Sequence, residues 1–243
     1  MTPETEFHSR AIAPVECLKE GWGLIKDRYW LFLGLSLVAM LVGGAVPIVL
    51  IGPMMCGLYL CLFAKMRGEE FEFGTLFKGF DYFLQSLIAA AVQTVPVLVI
   101  IGAGQVIFVA FTLIVLPRET GEAPPAIFWF GLIVFVLLAI IIGMAVQALF
   151  LFAYPLIVDR GLTGWEATKT SYRAALQNLG GILGLILLMF GLGILGLLAC
   201  YVGVFLLMPI SFATYAVAYR RVFPDTVRFN APSPPPPPGS WTG

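Results

Sequence analysis

Charged residues and histidine are scarce in this sequence. Asp, Glu, Lys and Arg make up 12% of its 243 residues, whereas soluble domains carry about 25%. Acids and bases balance at fourteen each, so no net field favours binding to nucleic acid. His8 is the single histidine and lies in the N-terminal segment. The sequence therefore lacks the materials for a Ser-His-Asp triad or a histidine-based zinc site.

Cysteine is also sparse and carries no recognisable chemistry. The four cysteines are Cys17, Cys56, Cys61 and Cys200, and none forms a CxxC pair. This pattern predicts reduced thiols that pack in the interior. No phosphate loop, Rossmann fingerprint, haem-attachment signature or secretory signal peptide is present. We predict no cofactor, no metal site, no catalytic residue and no enzymatic activity.

Apolar residues are abundant, at 60% of the chain. They form four uncharged stretches, at 29–64, 82–117, 123–158 and 179–219. A helix that crosses the hydrocarbon layer needs about 20 residues. Each stretch therefore holds one tilted span or two short ones.

Glycine and proline decide between these options. Pro47 and the Gly52-Pro53 pair interrupt the first stretch, and Gly203 lies within the fourth, so both are predicted to form hairpins. Pro96 in the second stretch is expected to kink a helix without ending it. The sequence thus predicts six spans, at about 30–46, 50–65, 84–116, 126–157, 180–198 and 201–219.

The distribution of basic residues supports this count. Six spans place thirteen of the fourteen Lys and Arg residues on one side and only Arg118 on the other. Cytoplasmic loops carry the Lys and Arg excess in multi-span proteins. Both termini are therefore predicted to be cytoplasmic.

Three segments between or before the spans have apolar stripes at helical spacing, at about 14–28, 72–83 and 164–178. Trp22 and Trp165 mark two of them, and Phe73, Leu76, Phe77 and Phe80 mark the third. Such stripes lie in the headgroup region. We predict that these helices anchor the protein at the cytoplasmic leaflet; the alternative is a lipid- or partner-binding surface.

The predicted fold is an all-α, polytopic transmembrane helical bundle with six spans and cytoplasmic-side interfacial amphipathic helices. It occupies residues 14–223. An N-terminal tail, 1–13, precedes it, and a proline-rich cytoplasmic tail, 224–243, follows it. The run of prolines favours polyproline II and cannot form a core.

Apart from Lys65 at the very end of the second, the predicted spans contain no Asp, Glu, Lys, Arg or His side chain, which argues against a proton relay or an ion path. Gln93, Gln105 and Gln147 are predicted to form hydrogen bonds between helices. The alternative is a polar path between the third and fourth spans. Four acidic residues follow the second span: Glu69, Glu70, Glu72 and Asp81. They are typical of a helix start, and the alternative is a divalent-cation or shared-proton site.

Several motifs together resemble a widespread group of uncharacterised bacterial multi-pass membrane proteins, whose membrane region is also similar to one fused to some glycerophosphoryl diester phosphodiesterases. The matching positions are Gly52, Pro53, Gly57, Arg67, Gly68, Glu69, Phe77, Phe80, Pro155, Asp159, Arg160, Ala167, Ser171, Pro209, Tyr219 and Arg220. The resemblance implies a bacterial inner-membrane protein with six spans and implies no activity. Asp159-Arg160 is expected to be a paired marker of the membrane boundary; the alternative is pairing with Arg67 or Glu69.

These observations favour a non-enzymatic integral membrane protein that scaffolds a membrane assembly or interacts with lipid. The predicted partners are membrane lipids, together with other membrane proteins or a second copy of the chain. One alternative is a flux pathway for a neutral or amphipathic solute between spans three and four. Another is an accessory subunit of a membrane lipid enzyme.

Overall fold

A computed structural model describes residues 12–46, 48–115, 125–198 and 202–224. Within these ranges the regular elements are all helical, which confirms the predicted all-α class. The helices are α1 (Pro14–Ile25), α2 (Tyr29–Ala45), α3 (Ile51–Arg67), α4 (Phe83–Val115), α5 (Ala126–Phe150), α6 (Ala153–Arg160), α7 (Gly164–Gln177), α8 (Leu179–Leu198) and α9 (Val202–Val222). One turn of 3-10 helix, Lys26–Arg28, joins α1 to α2, and a long 3-10 helix, Phe73–Tyr82, joins α3 to α4.

The described part of the chain has five helical stretches long and apolar enough to cross a membrane: Pro14–Ala45, Phe73–Ile114, Ala126–Arg160, Leu179–Leu198 and Val202–Val222. Several helical stretches of this length and hydropathy are typical of a membrane protein. Helix α3 has 17 residues and is not among them. At 1.5 Å per residue it is about 25 Å long, close to the lower limit for a span. The count of six spans therefore stays a prediction. Arg118, Pro47, Cys200 and most of both tails lie outside the described residues.

Helix α3 is the buried centre of the fold, with eleven of its residues buried. It contacts α2, α6, α9 and, most extensively, the long 3-10 helix. A Cβ atom on Gly57 would lie 1.8 Å from the carbonyl oxygen of Leu76, and one on Gly79 would lie 2.0 Å from that of Pro53. Glycine is thus the residue that allows the two backbones to touch.

The predicted apolar stripe of segment 72–83 is divided between two faces. The segment winds as a 3-10 helix with three residues per turn, which places Leu76 and Gly79 on one face. Both are buried, while Phe77 and Phe80 are 44% and 38% exposed. The prediction that Leu76 shares one helix face with Phe77 and Phe80 was therefore wrong. It assumed the spacing of an α-helix, whereas the segment packs closely on α3 in the tighter 3-10 winding.

The predicted span 126–157 lies within one candidate membrane-spanning stretch, Ala126–Arg160, but its helix is broken, because α5 ends at Phe150 and α6 begins at Ala153. Pro155 has no N–H and cannot bond to the carbonyl one turn earlier. The hydroxyl of Ser171, on α7, accepts a hydrogen bond from the Phe152 N–H at 3.1 Å and donates one to the Leu149 carbonyl at 3.0 Å. A side chain distant in sequence therefore satisfies the backbone at the break.

Other helix boundaries follow the sequence signals. Gly68 ends α3 with a φ of 73°, the left-handed conformation that glycine adopts readily. The Gly68 N–H donates to the Lys65 carbonyl at 3.1 Å, and the Glu69 N–H donates to that of Ala64 at 2.9 Å. Helix α4 continues through Pro96, as predicted. Cys17, Cys56 and Cys61 are buried free thiols, which confirms the prediction for these three cysteines.

The α3 contact yields a first prediction. Gly79→Ala places a methyl group against the α3 backbone, so we expect it to lower the free energy of unfolding by about 1–3 kcal/mol, the range for overpacking. The matched control is Gly74→Ala in the same 3-10 helix, where an added Cβ meets no atom within 4 Å. Thermal unfolding in detergent, followed by size-exclusion chromatography, measures both. Equal midpoints for the two variants would contradict the close-contact explanation.

Candidate functional site

A charged network joins the ends of α6 and α9. Arg220 donates to both carboxylate oxygens of Asp159, through Nη2 at 2.7 Å and Nη1 at 3.1 Å. The Tyr219 hydroxyl donates to Asp159 Oδ2 at 2.7 Å. The side chains of Arg220 and Asp159 are only 15% and 12% exposed. Two-point pairing of this kind gives a strong and directional contact.

Aromatic rings surround this network. The Arg220 guanidinium carbon lies 4.5 Å from the centre of the Phe63 ring, a cation–π distance. Tyr219 stacks on Phe223 at 5.2 Å between ring centres. Arg160 donates to the Pro224 carbonyl at 3.2 Å. The network is therefore a packed junction that holds α3, α6 and the end of α9 together.

More exposed ion pairs link neighbouring elements. Arg221 contacts Glu16 at 2.9 Å and Glu20 at 2.7 Å, which ties α9 to α1. Lys65, at the end of α3, pairs with Asp27 at the α1–α2 junction.

Arg67 pairs with Glu69 at 2.6 Å, and its hydrogen bond lowers the pKa of Glu69. The sequence left open that Asp159-Arg160 pairs with Arg67 or Glu69. In the structure Asp159 instead contacts Tyr219 and Arg220.

The structure places the motif residues in three environments. Buried positions that support the packing are Gly52, Pro53, Gly57, Pro155, Ala167, Ser171 and Pro209. A second group lies at helix ends: Asp159, Arg160, Tyr219 and Arg220 form the junction described above, and Arg67, Gly68 and Glu69 form the turn after α3. Phe77 and Phe80 point outward. Most of the motif is therefore structural, and the turn after α3 lies beside the cavity described next.

A surface cavity of about 720 Å³, here called the interfacial cavity, lies between the start of α2 and the long 3-10 helix. It is lined by Arg28, Glu70, Phe71, Glu72, Gly74, Thr75 and Lys78. The Phe71 ring packs on Phe32 at 5.6 Å between ring centres, which fixes one wall. The cavity carries two basic and two acidic side chains.

Gln93, Gln105 and Gln147, which were predicted to bond between helices or to line a polar path, line neither the interfacial cavity nor an apolar groove between α8 and α9. Gln105 and Gln147 are exposed, and the side-chain nitrogen of Gln93 is buried without a hydrogen-bond partner in the described structure. The α4–α5 contact is filled by aromatic rings, with Phe108 stacked on Phe135 at 5.1 Å and Phe111 packed against Gly131. This geometry does not favour a polar path between the two helices.

An apolar groove of about 470 Å³ opens instead between α8 and α9. Its polar side chains are Ser211 and Tyr215, and the Ser211 hydroxyl bonds to the Leu207 carbonyl at 3.0 Å. Near the groove, Gly196 and Gly203 bring the two helices into backbone contact. The groove therefore offers an apolar surface with little polar chemistry.

Sequence reasoning missed two features of the site. The capping box of α7, in which Thr163 and Glu166 bond reciprocally, follows the Thr-x-x-Glu pattern and was detectable. The grouping of Arg28 with Lys78 was not, because nothing local relates positions so far apart. The acids predicted as a helix start are divided, since Glu69 pairs with Arg67 while Glu70 and Glu72 face the cavity.

Comparison with known proteins gives no further identification. The described residues contain no group of three or more His, Cys, Asp or Glu side chains placed to hold a metal ion. No protein-family model matches this chain, and no match is found among curated proteins or solved structures. The fold thus defines an all-α protein with helices long and apolar enough to span a membrane, and the resemblance to bacterial multi-pass proteins stays a prediction.

The α6–α9 junction yields a second prediction. Asp159→Asn removes the negative charge to which the nearly buried Arg220 donates two hydrogen bonds, so we expect a loss of about 3 kcal/mol in the free energy of unfolding. The matched control is Glu69→Gln, which removes an exposed partner of Arg67 and should leave stability unchanged. SDS-induced unfolding in mixed micelles measures the difference. The junction is not a stabilising unit if the two variants unfold at the same SDS fraction.

Proposed function

We propose that this chain is a non-enzymatic integral membrane protein whose helices on the cytoplasmic side interact with lipid. The outward orientation of its interfacial aromatic side chains is the observation that carries this proposal. Trp22, Trp30 and Trp165 are 45%, 76% and 63% exposed. Tryptophan favours the membrane interface because its ring is apolar and its N–H is polar.

The inward faces of the same helices support the proposal. On α1, Cys17 and Gly21 are buried, and Gly21 lies against the backbone of Thr214 on α9. On α7, Gly164 and Ala167 are buried. Small residues at helix contacts and large apolar residues outside are typical of proteins that use lipid as solvent.

For the threading of the chain, we propose six spans in a bacterial inner membrane, with both termini cytoplasmic. Support comes from the pairing of Lys65 with Asp27, which returns the end of α3 to the level where α2 begins. The contacts of Arg221 with Glu16 and Glu20 bring the end of α9 to α1. The basic segments are therefore held at one end of the bundle, as the charge rule requires.

The threading yields a third prediction. A fluorescent reporter that matures only in the cytoplasm should be active at either terminus, and alkaline phosphatase inserted after residue 120 should be active outside. Five spans without α3 would place the termini on opposite sides. The test is therefore decided by the two terminal fusions, and the internal fusion checks that each protein is inserted.

The interfacial position yields a fourth prediction. In a variant that keeps Trp165 as its single tryptophan, fluorescence should be quenched more by lipids brominated near the headgroup than by lipids brominated near the chain end. The control is Leu138→Trp in a tryptophan-free background, because Leu138 is 54% exposed near the middle of α5. The control should show the opposite order. Equal quenching profiles for the two positions would refute the interfacial assignment.

A further inference from the structure

The interfacial cavity has a balanced set of charged groups. Arg28 and Lys78 contribute two cations, Glu70 and Glu72 contribute two anions, and Thr75 adds a hydroxyl. Charged side chains that line one cavity can contact the same ligand. This grouping is the strongest candidate for a ligand site in the described structure.

The four charges are available to a ligand. None of them forms an ion pair with another residue in the ranges that the structure describes. Their neighbours in sequence are already engaged, because Asp27 pairs with Lys65 and Glu69 pairs with Arg67. Asp27 and Glu69 are thus engaged outside the cavity.

The charge pattern selects the class of ligand. A free anion would meet the carboxylates of Glu70 and Glu72, and a metal cation would meet Arg28 and Lys78. A group that carries both signs uses all four side chains. Guanidinium and ammonium groups donate to phosphate oxygens, and carboxylates accept hydrogen bonds from a primary ammonium group.

The surroundings of the cavity favour a lipid over a soluble compound. Phe73, Phe77 and Trp30, from the two segments that form the cavity, are exposed at 40%, 44% and 76%. Acyl chains of a lipid whose headgroup fills the cavity would contact such rings. We therefore propose that the interfacial cavity binds a phospholipid headgroup containing a phosphodiester and a primary ammonium group, an inference that rests on the proposed function.

Native mass spectrometry of the full chain in detergent tests the proposal with two added lipids of identical chains. Phosphatidylethanolamine carries both groups, whereas phosphatidylglycerol carries only the phosphodiester. We expect phosphatidylethanolamine to bind about tenfold more tightly, a difference of about 1.4 kcal/mol, because only its ammonium group donates charge-assisted hydrogen bonds to the carboxylates. The double variant Glu70→Gln/Glu72→Gln should abolish this preference. The double variant Arg28→Gln/Lys78→Gln should lower the affinity for both lipids about tenfold.

Lys169→Gln, an exposed cation on α7 outside the cavity, is the matched control and should change neither affinity. Equal affinity for the two lipids, a preference that survives Glu70→Gln/Glu72→Gln, or unchanged binding of both lipids to Arg28→Gln/Lys78→Gln overturns the proposal. Displacement by chain-free glycerophosphoethanolamine at equal concentration overturns its lipid part. If the lipids bind and Trp165 is quenched near the headgroup but no preference appears, only the headgroup assignment fails. Loss of interfacial quenching defeats the proposed function itself.

Discussion

The contact between α3 and the long 3-10 helix constrains the rest of the structure. Hydrocarbon is as apolar as a leucine side chain, so burial alone does not drive helices together in a bilayer, and close van der Waals packing must do so. Gly57 and Gly79 permit that packing because their backbones approach to distances that exclude a Cβ. The contact places Leu76 inside and leaves Phe77 outside. It also sets the course of the chain from the end of α3 past the interfacial cavity.

Charge pairing organises the same end of the bundle. Asp159 joins α6 to α9, Arg221 joins α9 to α1, and Lys65 joins α3 to the α1–α2 junction. A nearly buried charge is costly unless it is paired, and Arg220 and Asp159 meet this condition with two hydrogen bonds and an adjacent Phe63 ring. Charges in this region thus serve mainly to hold helices together. The four charged side chains of the interfacial cavity differ from them, because they form no ion pair within the described part of the chain, and this difference is the basis for proposing a ligand there.

Features encoded locally could be predicted from the sequence, and features that depend on distant residues could not. Long apolar runs bounded by glycine, proline and charge indicated the helices of the bundle, and Gly68 indicated the end of α3. The break before α6 depends on the Ser171 hydroxyl, which reaches it from another helix. The 3-10 winding depends on the close approach of α3. Likewise, the interfacial cavity combines Arg28 with residues some 50 positions away, a relation that no spacing rule reveals.

Packing is uneven along the molecule, and this affects where a specific ligand can be held. Helices α4 and α5 expose many of their apolar side chains, with Val106 at 71% and Ile141 at 60%. Aromatic rings such as Phe108 and Phe135 form the contact between the two helices. Such surfaces suit the fluid interior of a bilayer, which offers no fixed geometry. The end of the bundle that holds the interfacial cavity instead combines glycine contacts, a paired Asp159 and stacked aromatic rings. Recognition of a particular headgroup requires side chains held at fixed separations, and walls anchored by contacts such as Phe71 on Phe32 can provide them.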